Sequence, residues 1–210
     1  MNKKQTFSDR ARVIFKGILD PIGHFLNRLG LTPNSITLLG LLGTTIGAYM
    51  ISQGHMTTGA FVLLASVLVD VFDGTMARLR GEPSDFGAFV DSVSDRYAEL
   101  ITLGGLLYYF LTQDNYPGVM ISFAAAAGSV LVSYVKARAE GLGFTAKVGI
   151  LTRLERYLVL IPLLVFNQPF LAVVIIAILA HITAFQRIFH VRAQGRERIR
   201  QSKLPKETSG

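Results

Sequence analysis

Residues 70–95 read DVFDGTMARLRGEPSDFGAFVDSVSD, and four of their aspartates, Asp70, Asp73, Asp91 and Asp95, stand inside otherwise apolar stretches. Asp70 and Asp73 are spaced i, i+3 and Asp91 and Asp95 i, i+4, so each pair shares one helical face. The break RGEPSD at 80–85 carries Gly and Pro, which reads as a short loop between two helices. Antiparallel neighbours joined in this way would bring the four carboxylates together. An ionised aspartate deep in a bilayer costs a few kcal/mol, and four like charges at close range repel unless neutralised. Hard divalent cations such as Mg²⁺ or Mn²⁺ answer both problems, because they favour oxygen ligands. Two such ions suit four carboxylates and a diphosphate. From spacing alone three readings stay open: metal-assisted catalysis, ion translocation by an ion-coupled transporter, and structural pairing with Arg78 and Arg96. Gly74 and Gly87 beside the acids allow a backbone or ligand to come close.

On either side of this stretch the chain is built of apolar segments. Half of the 210 residues are hydrophobic, and the mean hydropathy of +0.43 is too high for an ordinary soluble domain. Six segments, near 33–53, 56–79, 86–113, 116–138, 148–166 and 169–190, are expected to cross a membrane. A hydrocarbon core of about 30 Å takes roughly 20 helical residues, and the fifth segment is marginal by that measure. The expected fold is therefore an all-α membrane protein of six transmembrane helices preceded by an N-terminal amphipathic surface helix. That first helix, over 15–29, mixes Ile18, Leu19, Ile22, Phe25 and Leu26 with Lys16, Asp20, His24 and Arg28. The domains read as a cytoplasmic N-terminus and juxtamembrane helix at 1–32, a transmembrane catalytic domain at 33–190 and a basic cytoplasmic tail at 191–210. No signal peptide is expected from the charged start MNKKQTFSDRAR, and beyond about residue 200 disorder is expected.

Charge sets the orientation. The net charge is +7, yet the breaks at 52–55, 112–118 and 167–169 contain none of the 21 Lys and Arg residues. By the positive-inside rule these breaks face outward, and both termini and the acidic site face the cytoplasm. The compact form suits the plasma membrane of a prokaryote. The polybasic strip RAQGRERIRQSK reads as a partner of anionic membrane lipids rather than of nucleic acid. With no cysteine, disulfides, thiolate catalysis and zinc-thiolate sites are excluded.

The stretch at 70–95 resembles the CDP-alcohol phosphatidyltransferase family, whose signature is D-x2-D-G-x2-A-R-x8-G-x3-D-x3-D. Asp70, Asp73, Gly74, Ala77, Arg78, Gly87, Asp91 and Asp95 fill all eight fixed positions within 26 residues. The resemblance implies six transmembrane helices after a surface helix, a homodimer, and transfer of a phosphatidyl group from a CDP-diacylglycerol-type lipid to an alcohol, releasing CMP. It implies that Asp70, Asp73, Asp91 and Asp95 bind Mg²⁺ or Mn²⁺ (two ions), with Asp95 also the general base. Asp73, Gly74, Ala77 and Arg78 would hold the cytidine diphosphate group. Pro33, Asn34 and Thr37 of the TPNSIT run would touch it from the first span, and Ser84 from the inner loop. Without the resemblance, Thr-Pro-Asn-Ser is an ordinary helix start.

The acceptor is read from the inner ends of the later spans. Lys136, Arg138, Arg153 and Arg156, with Arg187 nearby, form a basic group suited to an alcohol that itself carries phosphate. Snorkelling anchors would look the same. The run SYVKARAE followed by an E-R motif resembles the branch that makes phosphatidylinositol phosphate from inositol 1-phosphate. In that branch Ser133, Lys136, Arg156 and Arg187 would meet the acceptor. This chain has T-R-L-E-R at 152–156 where that branch often has E-R-P-E-R. Phosphatidylglycerophosphate synthesis from glycerol 3-phosphate is therefore the alternative.

Overall fold

The computed structural model of the chain describes residue 17 and residues 20–80 and 85–202, and among these it is helical with no strand. Helix α1 covers 20–28 and ends at Gly30, whose φ of +78° suits a residue without Cβ. There follow α2 (Pro33–Ser52), α3 (Met56–Arg80), α4 (Asp85–Thr112), α5 (Tyr116–Gly141), α6 (Arg153–Val165) and α7 (Pro169–Ser202). The local causes are visible in the sequence. Thr32 caps α2, accepting from the Ser35 N–H at 3.2 Å, with Pro33 in the first turn. Asn115 caps α5 in the same way through Gly118. Asp114 and Asn167 take the left-handed conformation in the turns before α5 and α7.

Helix α2 lies against both α3 and α4, while α3 and α4 do not pack along their lengths. The expectation that these two are close neighbours is therefore corrected: α2 lies against both. The α2–α3 seam is made of small residues. A Cβ added at Gly47 would meet the Gly59 carbonyl at 3.2 Å, and one at Gly59 would meet the Gly47 carbonyl at 2.8 Å. Such contacts let helix backbones approach where lipid gives no hydrophobic drive to associate. Helix α5 packs on α4 and α7, and α6 on α3 and α7. The core joins Ile51, Leu63, Leu106, Leu164 and Ile176. Leu38, Leu42, Phe61, Phe123, Ile178 and Phe185 point outward from the bundle, more apolar exterior than a soluble monomer shows.

Four of the six expected spans, α2, α3, α5 and α7, are long and apolar enough to cross a membrane. Helix α4 has the length but carries Asp85, Asp91, Asp95, Arg96 and Glu99 between its start and its middle. Helix α6 has 13 residues, about 20 Å of helix, because its start is Arg153 and not 148. Residues 144–152 form an extended strap instead. The strap is tied to α7 by Leu151 N–H to Thr183 Oγ1 at 3.0 Å, Arg187 Nε to Val148 O at 2.9 Å and Gln194 Nε2 to Thr145 O at 2.6 Å. Helix α7 runs unbroken past 190 to Ser202. Of the surface helix expected over 15–29, residues 15, 16, 18 and 19 lie outside the described set, as do Ser84 and residues 203–210. The described part is held to α3: Arg80 Nε donates to Asn27 Oδ1 at 2.7 Å, and its Nη2 to Leu31 O at 2.6 Å.

Candidate active site

The four aspartates are carried by the last three turns of α3 and the first three of α4. Asp70 sits in a niche made by the absence of a side chain: a Cβ added at Gly40 on α2 would fall 2.3 Å from its Oδ1. Asp73 is buried and is oriented by two donors. Thr37 Oγ1 donates to its Oδ2 at 2.7 Å, and the Gly74 N–H donates to its Oδ1. Thr37 is itself within 3.2 Å of the Pro33 carbonyl. The start of α2 and the end of α3 are thereby locked together, and Pro33, Asn34, Thr37, Gly74, Ala77 and Arg78 lie at one end of the bundle. Arg78 is exposed, with Nη2 on Thr75 Oγ1 at 3.1 Å.

Asp70 and Asp95 are joined through a third helix. Arg153, the first residue of α6, donates from Nη2 to Asp70 Oδ2 at 2.8 Å and pairs through Nη1 with Asp95 Oδ1. Asp91, half-buried on α4, acts electrostatically on Asp70, Asp73 and Asp95. The four carboxylates feel one another, but they do not form a single cluster. Among the described residues no three His, Asp or Glu side chains are close enough to share an ion. In kind the donors fit a hard divalent cation: four carboxylates and no soft ligand. In position, the Arg153 guanidinium stands between two of them.

The charges continue inward along α4. Arg96 lies 3.6 Å from Asp95 and 3.7 Å from Glu99. Glu99 and Arg156 form an ion pair, each side chain only 5% exposed, and Arg156 Nη1 donates to Leu151 O at 3.1 Å. A buried pair of this sort needs such added hydrogen bonds to offset desolvation. Of the expected acceptor residues, Lys136 is exposed and Ser133 half-buried. Arg187 is buried like Arg156, and it donates to the Val148 and Val132 carbonyls at 2.9 and 2.5 Å. With Ser133 Oγ donating to Ser129 O at 3.3 Å, three of the four acceptor residues are thus held by protein partners in this arrangement. Sequence reasoning missed Glu99 altogether; of the two arginines it named as possible partners of the aspartates, Arg96 lies beside Asp95 and Arg78 bonds Thr75. The signal for Glu99 was its place one turn after Asp95 on the same helix face. Nothing local pointed from Arg153 to Asp70, 83 positions earlier, or to Asp95.

Residues 30–186 match the profile of the CDP-alcohol phosphatidyltransferases. The chain belongs to that family. Among relatives of this phosphatidyltransferase, the archaetidylinositol phosphate synthase of Methanothermobacter thermautotrophicus is 32% identical over 193 residues, covering 89% of this chain and 95% of its own. The phosphatidylinositol phosphate synthase of Streptomyces avermitilis is 34% identical over 209 residues, covering 92% and 86%. The crystal structure of the Mycobacterium tuberculosis phosphatidylinositol phosphate synthase with CDP-DAG bound superposes with a TM-score of 0.79 at 31% identity, over 83% of this chain and 93% of that one. The same mycobacterial enzyme has been crystallised with manganese and citrate. Family membership sets the transporter reading aside.

Proposed function

We propose that this phosphatidyltransferase moves the phosphatidyl group of CDP-diacylglycerol, or of an ether-lipid equivalent, onto inositol 1-phosphate and releases CMP. The observation that carries the reading is the Asp70–Arg153–Asp95 bridge, which sets the signature aspartates against the basic start of α6. The relatives named for inositol phosphate products, at 32% and 34% identity, support the choice of acceptor. Glycerol 3-phosphate is the second reading, favoured by T-R-L-E-R at 152–156.

Each residue has a task in this reaction. Asp70, Asp73, Asp91 and Asp95 would hold Mg²⁺ or Mn²⁺ (two ions), which supplies positive charge at the diphosphate. Pro33, Asn34 and Thr37 with Asp73, Gly74, Ala77 and Arg78 line the CDP end, joined by Ser84 from outside the described residues. Asp95 accepts the proton of the attacking hydroxyl. Lys136 meets the acceptor phosphate directly, and Ser133 does so by turning its hydroxyl from the Ser129 carbonyl. Arg156 and Arg187 complete that subsite by exchanging carbonyl partners for phosphate oxygens, the stronger acceptors.

The protein so read has six spans, with α4 and α6 crossing inside the bundle where α2, α3, α5 and α7 shield their charges from lipid. The segment 1–32 lies on the surface, 33–190 forms the catalytic domain and 191–210 the basic tail. Both termini face the cytoplasm of a prokaryote, the plasma membrane holds the chain, and two copies form a homodimer. The deciding experiment is CMP release from CDP-diacylglycerol by the purified protein with Mg²⁺ or Mn²⁺, offering inositol 1-phosphate or glycerol 3-phosphate. Release with inositol 1-phosphate alone, lost in Asp95→Asn, is the expected result. Release with glycerol 3-phosphate alone would replace the acceptor, and release with neither would sink the reading.

A further inference from the structure

Arg153 stands in a place that matters more than its sequence context suggests. One guanidinium touches carboxylates from two helices that do not pack on each other. Its planar fork holds one carboxylate on each terminal nitrogen, Asp70 on Nη2 and Asp95 on Nη1. Two oxygens that share a magnesium ion, each at about 2.1 Å, lie no more than about 4.2 Å apart. A guanidinium and such an ion cannot occupy the gap together. The same side chain stands at the first position of its helix, directly after the strap 144–152, where the Thr152 hydroxyl bonds the Glu155 carboxylate and leaves the first-turn backbone without a side-chain cap. Arg153 is 25% exposed, so water and ions reach it, and while paired with the two aspartates it already lies 5.6 Å from the centre of the Tyr157 ring.

We infer that Arg153 is a tethered counter-ion that competes with the divalent cation for Asp70 and Asp95, and that the cation binds these residues only as the guanidinium swings out. This rests on the proposed metal role of the aspartates. The device keeps two carboxylates neutralised at the membrane without letting the site close, and it couples ion entry to the release of a cation beside the acceptor residues. Because affinity and displacement are linked, the cation must bind more weakly while Arg153 is present.

The test is Mn²⁺ binding, read from the electron paramagnetic resonance signal of free Mn²⁺ over the full-length protein in nanodiscs. Arg153→Gln should bind Mn²⁺ at least about fivefold tighter than the wild type, the low end of typical coupling, and should gain more melting temperature on adding it. Arg153→Lys, which keeps the charge, should stay near the wild type. Equal or weaker binding by a folded Arg153→Gln overturns the inference and leaves the metal reading intact. Binding by neither protein overturns the metal reading and this inference with it. Should Arg153→Gln not fold, the wild type decides: phenylglyoxal labelling of Arg153, followed by peptide mass spectrometry, should quicken when Mn²⁺ is added. Labelling that is unchanged or slowed overturns the inference.

Discussion

Thr37 donates a 2.7 Å hydrogen bond to Asp73 across 36 residues of sequence, and through it the first turn of α2 orients a buried carboxylate of α3. A hydrogen bond to a charged group is worth roughly 1.5–3 kcal/mol, or about 10- to 150-fold in a rate or binding constant. Thr37→Val keeps the shape and removes the donor. It should lower kcat/KM for the CDP-lipid by about that factor, and Thr37→Ser should restore most of it. Steady-state CMP release over a range of CDP-lipid concentrations checks this, and an unchanged Thr37→Val would show the bond to be idle.

Gly40 and Gly104 make a matched pair of alanine substitutions. At Gly40 the new Cβ would lie 2.3 Å from Asp70 Oδ1, whereas at Gly104 it would meet nothing within 4 Å. Displacement of Asp70 by about 1 Å should cost on the order of 100-fold in turnover. Gly104→Ala should keep full activity and gain up to about 1 kcal/mol of helix stability. Activity and melting temperature measured on both variants separate the two effects.

The Glu99–Arg156 pair should behave as an interior ion pair. Removing one partner strands the other, at a cost of about 3–5 kcal/mol, so Glu99→Leu and Arg156→Leu should each melt well below the wild type. The double variant should melt above either single one. Thermal unfolding in one detergent, run as a double-mutant cycle, checks the sign of the coupling.

Lys136 is exposed near the C-terminal end of α5 and has no part in the core. Lys136→Ala should raise KM for inositol 1-phosphate by about tenfold or more, as loss of a charge-assisted bond implies. The KM for the CDP-lipid and the melting temperature should hold. A change confined to kcat would place Lys136 elsewhere in the reaction.

The helices were largely legible in the sequence. Expected bounds of 33–53, 56–79 and 86–113 lie within one residue of α2, α3 and α4 at each end, because Gly54, Pro33 and the polar turn residues punctuate a chain of otherwise apolar runs. The start of α6 was not legible. Residues 148–152 are apolar enough to read as helix, but Arg187 and Thr183, more than 30 positions away, hold them extended. The same limit hid the role of Arg153. The motif spacing placed all four aspartates on the right helices, and the Thr37–Asp73 bond suits the shared duty expected of those residues. Which cation stands among the acids depends on how α6 docks, and no local pattern records that. Arg156 and Arg187 read either as acceptor-phosphate residues or as snorkelling anchors, and neither reading implied that both are buried. Burial made them part of the interior.

Helix α7 has 34 residues, about 51 Å of rod, against roughly 30 Å of hydrocarbon. If it spans the bilayer, roughly 20 Å of stiff helix stands clear of the oil, studded with Arg192, Arg196, Arg198 and Arg200. A disordered tail would present those charges as an averaged cloud. On a mast they keep fixed spacing and bearing, so an anionic surface meets a template with a defined tilt. Arg198 Nη1 also donates to Leu142 O, and its guanidinium lies 3.9 Å over the Phe144 ring. The mast thus touches the chain at the end of α5 and at Phe144, the first residue of the strap that leads to Arg153.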